Sequence, residues 1–466
     1  MVEVVKKSLR ESTAARWTAM GVISFTMLCG YYVADVAAPL KPLIEQQLHW
    51  TSAQYGFFTS SYGWFNVFLG MLVIGGIILD KKGPRFAGLL ASLLMVLGCS
   101  LKWWAISTHG LDGQTLFGVN AQVMTASLGF ATFGMGIELC GITATKIIVK
   151  WFKGYEIALA MGLQVAIARI GTSLALGFSA PIANAFRVST PILLGAFLLG
   201  VGLVAFIFYM GMDRKLDASD PEGITGANPE DAFRFSDIFT ILGNRGFWYI
   251  AILCSLFYSG VFPFLKYAPD LMVQKFHVSE KLSGFIPSLL PIGAMLLTPT
   301  IGRVYDKKGK GATIMVLGSI LVMTVHVIFT VPFLNNWLVA VFAMLLLGVG
   351  FSLVPSAMWP SVPKLIPERQ LGTAYSLIFF LQNLVALMFV PWFIGLLLDK
   401  YCVTGREIIQ KMIDGRMQDV PIVHYNYTLP MAAFTCFGLL AIVFSLLLKA
   451  EDKAKGYGLE LPNQQR

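Results

Sequence analysis

Charged side chains are scarce in this 466-residue chain: 13% of it is Asp, Glu, Lys or Arg, against roughly 25% in a soluble domain. Half the usual polar coat is missing, which excludes a water-soluble globule. The signatures of soluble chemistry are missing as well. There is no Walker sequence to hold ATP, no dinucleotide fingerprint and no His/Cys constellation. Cys29, Cys99, Cys140, Cys254 and Cys436 fall in apolar runs, where a thiol acts as a small core residue. Cys402 lies in a loop without a loop partner, and no metal-ligand spacing occurs. No disulfide, metal or cofactor is expected, and the chain does not read as an enzyme. Nor is there a cleavable-signal pattern: Lys6, Lys7, Arg10 and Arg16 precede an apolar stretch too long for a signal-peptide core. The first helix is expected to act as its own insertion signal.

In place of charge stand apolar residues, 56% of the chain, giving a mean hydropathy of +0.69. They form runs of about 20 or more, long enough to cross a hydrocarbon core. The first set spans 17–40, 55–79, 86–106, 122–149, 157–182 and 190–212. After a polar stretch come 246–270, 282–304, 312–333, 337–362, 371–398 and 427–449. This pattern predicts an all-α polytopic membrane protein, with 12 transmembrane helices in two six-helix bundles. The expected organisation is an N-terminal tail (1–16), a first bundle (17–212), a linker (213–245), a second bundle (246–449) and a C-terminal tail (450–466). The linker is rich in Asp, Glu, Pro and Gly, and "SDIFTILGN" within it suggests a short surface helix starting at Ser236 or Asp237.

Net charge is +9, which by itself could mean a nucleic-acid partner. Its placement says otherwise. With twelve helices, the even-numbered connections and both termini share one side, which carries about 23 basic residues against about 9 opposite. Both termini are therefore expected in the cytoplasm, and the lipid bilayer replaces nucleic acid as the implied surroundings.

One charged string occurs twice. "GGIILDKKGPR" at 75–85 and "IGRVYDKKGKG" at 301–311 share Gly-x-x-x-Asp-Lys-Lys-Gly. The residues are Gly76, Asp80, Lys81 and Gly83 (with Arg85 after them), then Gly302, Asp306, Lys307 and Gly309. Each copy lies between the second and third helices of its half, about 226 residues apart, so two copies of a large unit are implied. Asp80 and Asp306 fall at helix C-termini, where the helix dipole disfavours a carboxylate unless a partner compensates. A helix N-terminus or a basic side chain nearby would make a breakable latch.

Six-plus-six helices with this octet in both halves resemble the major facilitator superfamily. Secondary transporters of that fold rock two bundles about a midplane site. The second copy fits the family's loop closely; in the first, Pro84 replaces a usual basic position.

About 32 of the 35 basic residues belong to loops, tails and helix ends, which leaves Lys146, Arg169 and Lys266 inside apolar segments. Asp35 and Glu138 are their acidic counterparts. An ionisable group at membrane depth costs a few kcal/mol, so it faces a cavity or a partner. Glu138 precedes the "WFKGYE" loop by about 12 residues and Arg169 follows it by about 12, so both stand roughly 18 Å from it. At equal depth on consecutive helices, they can pair or flank one ligand. Lys146 lies about 12 Å nearer the terminal side, in a vestibule or snorkelling. Asp35 and Lys266 occupy equivalent helices of the two halves and could meet as an outer gate.

Three prolines, Pro355, Pro360 and Pro363, should bend or break the tenth helix around Trp359, which is then a cavity wall. Tyr62, Trp64 and Asn66 in "SSYGWFN" supply further aromatic and amide groups. His326 is expected to be a packing residue, and "NYT" at 426–428 is formally a glycosylation sequon.

Strings beyond the octet narrow the resemblance. "WFKG" (151–154), "GLQ" (162–164, ending on Gln164), "ARIG" (168–171), "VFPF" (261–264), "MWP" (358–360), "QLGTAY" (370–375) and "LQN" (381–383, ending on Asn383) are similar to the animal lysosomal dipeptide uniporters. The similarity runs roughly from Tyr31 to Asp399. It implies that Glu138, Arg169 and Trp359 line a peptide site, with Asp35 a further counterpart. Lys146 and Lys266 have no counterpart, and the dileucine sorting signal and glycosylated loops of the animal proteins are not evident. A plasma (inner) membrane is thus the expected location, with a lysosomal or other organellar membrane the alternative, and no obligatory protein partner is expected.

A dipeptide is a zwitterion, so Arg169 could take its carboxylate through a bidentate pair and Glu138 or Asp35 its ammonium. The Glu-x-x-Glu-Arg string of proton-coupled peptide symporters is absent from the first helix, which favours uniport by alternating access. Two alternatives stay open within this fold. One is an organic-anion exchanger in which Arg169 works with Lys146 or Lys266; the other is a proton-coupled symporter. A non-transporting receptor is a third reading, against which the paired latches argue.

Overall fold

The structure is a computed structural model describing residues 9–219, 235–367, 370–413 and 416–462. Ten of its helices are long and apolar enough to cross a membrane. One of these, Met71–Ser107, is two spans joined through Gly83, whose φ of 80° and ψ of 169° break the helix. The second pass runs through Ser52–Ser60, Ser61–Gly63 and Trp64–Phe68 into 71–82, with a left-handed Gly70 between. The eighth pass, Leu289–Lys308, is less apolar because it carries Thr298, Thr300 and Arg303. Among the described residues the passes number twelve, as the hydropathy pattern predicts.

Capping residues move the ends of these helices outward from the expected limits. The first helix starts at Thr13, not 17, because the Ser12 hydroxyl accepts from the Ala15 amide. The sixth runs to Ser219, past 212, because Asp213 is buried in a polar cluster and is not linker. The twelfth continues to Lys455, past 449. A short helix follows the linker at Phe235–Leu242, so Ser236 and Asp237, expected to start it, fall inside its first turn; linker residues 220–234 lie outside the described chain.

Helix interruptions are each answered by a side chain. The seventh pass stops at Ser259 and restarts at Phe262, and His326 Nε2 lies 2.7 Å from the Gly260 carbonyl freed there. His326 is thus a buried packing residue, as expected. In the tenth pass the three prolines do not break the helix, which runs from Trp337 to Leu365. Pro363 cannot donate to the Trp359 carbonyl four residues back, and the Tyr375 hydroxyl donates to it instead at 3.2 Å. The eleventh pass contains a π-helical stretch, Asn383–Phe389, which no sequence pattern announced.

In the first bundle, the first helix packs on the fifth and sixth, and the third on the fourth and sixth. In the second, the ninth packs on the tenth and twelfth, and the seventh on the eleventh and twelfth. The bundles meet where the second pass crosses the eleventh and the fifth crosses the eighth. The described chain begins, at Leu9, and ends, at Pro462, on one face, the terminal face. The opposite face carries a long antiparallel hairpin, Val403–Ile413 with Arg416–Tyr425, pairing Ile409 with Val420. Among the described residues, that hairpin and a small one at Thr115–Asn120 are the departures from an all-helical chain. Charged and polar residues break the apolar ones of the long hairpin into short groups, which a search for long apolar runs passes over.

Candidate functional site

Between the bundles lies a cavity of about 430 Å³. Asp35, Tyr62, Glu138, Gln164, Arg169, Lys266, Trp359 and Asn383 all line it, so most residues singled out from sequence converge on one space. Tyr31, Thr172, Tyr258 and Phe351 join them; Tyr31 is one helical turn before Asp35, the one signal that could have found it.

Arg169 and Glu138 share the cavity without pairing. The Glu138 carboxylate accepts from the Tyr62 hydroxyl at 2.9 Å. The Arg169 guanidinium stands over the rings of Phe351 and Tyr31, at 5.0 and 5.4 Å, and among the described residues no carboxylate pairs with it. The two rings come from different bundles. Cation–π contact orients the guanidinium while leaving its five N–H donors without an anionic acceptor.

Trp359 forms another part of the wall. Its indole donates to the Tyr258 hydroxyl at 3.3 Å and stacks on Phe379 at 5.0 Å. Asn66 sits behind the lining and donates to Asn383 across the bundle interface at 3.3 Å. Trp64 is not among the lining residues; its ring packs edge-on against Phe57, which corrects the expectation of a cavity or gate role.

Towards the hairpin face the cavity ends at a roof. Lys266 Nζ donates to Asp35 Oδ1 at 2.6 Å and to the Ala34 carbonyl at 2.7 Å, while Thr172 donates to Asp35 Oδ2 at 2.8 Å. One turn further out, Lys41 is fully buried between Asp270, at 2.6 Å, and Glu45, at 2.9 Å. Tyr427 also donates to Asp270, and Ser52 donates to Glu45 at 2.6 Å. This second ionic storey escaped the sequence reading, since Lys41 falls at a predicted span end and counts there as a loop lysine. The missing signal is the turn Ala38–Leu40, which continues the first helix into Lys41–Leu48. Lys102 escaped for the same reason: it is buried, donating to the Val33 carbonyl at 3.0 Å with its ammonium over Phe130.

Backbone contact completes the roof. A Cβ on Gly395 would come within 2.5 Å of the Ser52 carbonyl and 2.8 Å of the Gly56 Cα. Only glycines let the second and eleventh passes approach so closely. Towards the terminal face the lining extends to Gln164 and to exposed Thr145, so the cavity opens on that side.

The octets lie on the open side. Lys146 is not among the lining residues; its half-exposed ammonium pairs with Asp80 of the first octet at 2.6 Å. Arg85 reaches Asp217 at 2.8 Å, and Lys150 reaches Asp213 and Asp217, both at 2.7 Å. Lys81 and Lys307 point to solvent, and nothing approaches within 4 Å of a Cβ built on Gly76 or Gly302. Asp306 sits in the last turn of the eighth helix. After it, Gly309 turns with φ 68° against the C-terminal segment, whose Glu460 and Leu459 carbonyls accept from the Lys310 and Gly311 amides at 2.9 Å.

Two bundles of six helices, sealed at one face around a cavity that both line with charged side chains, have the architecture of a secondary transporter. The chain belongs to the Major Facilitator Superfamily, whose sequence model matches residues 23–390. Among its relatives is the lysosomal dipeptide transporter MFSD1 of Danio rerio, 28% identical over 76% of this chain and 74% of that protein. The Homo sapiens protein of the same name is 24% identical over 83% and 80%. A galacturonate transporter of Dickeya chrysanthemi is 26% identical over 51% and 66%. Among solved structures, the D-xylose-proton symporter superposes with a TM-score of 0.66 at 15% identity, covering 93% of this chain and 97% of its own. The nucleoside transporter NupG gives 0.66 at 13% identity, covering 94% and 99%. At such identities the likeness concerns the fold.

Proposed function

We propose that the protein carries dipeptides across the membrane as a uniporter by alternating access, with the terminal face in the cytoplasm. The observation that carries this reading is Arg169: a guanidinium at membrane depth with two aromatic rings for support and no carboxylate partner among the described residues, in a cavity that also holds Glu138 and Asp35. Such a cation calls for an anionic ligand, since an intramembrane charge is otherwise costly. A zwitterion satisfies both ends, its carboxylate at Arg169 and its ammonium on the acidic side. Trp359, Tyr258 and Phe351 give the space between an apolar wall that accepts varied side chains. The names of the MFSD1 relatives support the substrate class, and the excess of Lys and Arg supports the orientation. Sequence features favour the plasma membrane, whereas the relatives' names support a lysosomal one; fractionation of the source cells separates the two.

Counterflow in proteoliposomes tests the reading, using a dipeptide panel and a dicarboxylate panel with and without a proton gradient. Dipeptide exchange that ignores the gradient is expected. Arg169→Ala should weaken peptide binding by at least about thirtyfold, the loss on removing one partner of a desolvated charge pair. Uptake of dicarboxylates alone would replace the peptide reading with an anion carrier, and uptake tied to the gradient would replace uniport with symport.

A further inference from the structure

The roof of the cavity contains an ammonium group of its own. Lys266, from the second bundle, reaches Asp35, from the first, with Nζ and Oδ1 2.6 Å apart. Both side chains are 13% exposed and both line the cavity, so a solute there can reach the pair. Two features make the contact exchangeable and not merely structural. The second oxygen of Asp35 is held by Thr172 of its own bundle, at 2.8 Å, so the carboxylate stays aimed into the cavity whichever cation it binds. Lys266 also donates to the Ala34 carbonyl at 2.7 Å, so losing Asp35 does not strip it of every partner. Glu138 differs: its recorded partner is Tyr62, in the same bundle, and releasing it would leave the roof untouched.

Resting on the peptide reading above, we infer that Asp35 is passed between two ammonium groups: that of Lys266 in the empty protein and that of the peptide's N-terminus in the loaded one. Lys266 is then a tethered stand-in for the substrate amine. When a peptide docks its carboxylate on Arg169 and its ammonium on Asp35, the ion pair between the bundles is released; Lys266 keeps its bond to the Ala34 carbonyl, and parting the hairpin face costs less. A ligand without an ammonium group binds Arg169 but leaves the bridge closed. The device therefore selects for a free N-terminus at the step of opening and not only at binding. It also makes exchange faster than net flux, because the empty protein re-forms its bridge.

The test compares Ala-Ala with N-acetyl-Ala-Ala in proteoliposomes containing the wild-type chain, Lys266→Gln or Lys266→Arg. For the wild type, N-acetyl-Ala-Ala should inhibit Ala-Ala counterflow while being exchanged itself at a rate about tenfold lower or less. Lys266→Gln should bring the ratio of the two exchange rates close to unity and raise net efflux relative to exchange. Lys266→Arg, which keeps the bridge, should keep the wild-type ratio. The inference fails if Lys266→Gln exchanges Ala-Ala with an unaltered preference, or if it binds Ala-Ala but exchanges neither compound. Wild-type protein that exchanges no dipeptide at all would overturn the peptide reading itself, a separate failure.

Discussion

The two faces of the molecule use the same kinds of ion pair for different purposes. On the hairpin face, Asp35–Lys266, Lys41–Asp270 and the Gln46–Glu280 hydrogen bond all join one bundle to the other. On the terminal face, Asp80–Lys146, Arg85–Asp217 and Lys150–Asp213 stay within the first bundle. Burial differs as well: Lys41 and Asp270 are 0% and 1% exposed, while Lys146 and Asp80 are 40% and 70% exposed. A buried pair spanning two bundles resists separation, because parting it leaves desolvated charges. An exposed pair within one bundle is readily exchanged for water or another partner. The closed face is thus held by buried cross-bundle charge, and the open face carries exposed charge paired within one bundle, with nothing within 4 Å of a Cβ on Gly76 or Gly302.

That contrast can be broken most severely at Lys41. Lys41→Met strands Asp270 and Glu45 in the core of the roof and should destabilise the protein by about 3–5 kcal/mol, seen as a lowered Tm in detergent. Adding Asp270→Leu should restore part of that loss; a double variant no more stable than the single would mean the pair is not the unit that matters. Next comes steric closure. Gly395→Val places a branched side chain against the Ser52 carbonyl and Gly56, at an overpacking cost of about 1–3 kcal/mol to the closed face alone. The population should shift towards a conformation open at the hairpin face, read as labelling of a cysteine introduced there, and counterflow should fall. Labelling equal to that of the unaltered protein would show that the two passes do not need this approach.

The smallest static effect belongs to the terminal face. Asp80→Asn removes an exposed pair worth about 0–1 kcal/mol, so Tm should hardly move. Turnover should still slow, with peptide affinity retained, if the latch acts when that face closes. An unchanged turnover would reduce the first octet to a topology signal. Binding measured by isothermal titration beside counterflow separates the two quantities.

Much of this was legible in the sequence. Twelve apolar runs, a charged octet written twice and five ionisable residues inside apolar segments were enough to foretell two bundles around Glu138 and Arg169. Those features are one-dimensional, because a bilayer dictates span length and penalises stray charge residue by residue. What lay near span ends was harder. Lys41, Asp270 and Lys102 look like interfacial charges when counted along the chain, yet they are buried. The status of Lys41 and Asp270 depends on helices that continue past the expected boundaries and on neighbours supplied by the other bundle or the hairpin, that of Lys102 on Val33 and Phe130 of its own bundle.

By itself, the order of amino acids decided how often this chain crosses a membrane, which side its positive charge favours and which ionisable groups must be sheltered at mid-depth. Only the tertiary structure decided which of those groups meet: that Glu138 takes Tyr62 and not Arg169, that Lys146 takes Asp80, and that Lys266 closes a roof on Asp35. The division has a physical reason. Transfer free energy into lipid is nearly a sum over residues along the chain, whereas the pairing of charges depends on angles and distances between helices that no single segment specifies.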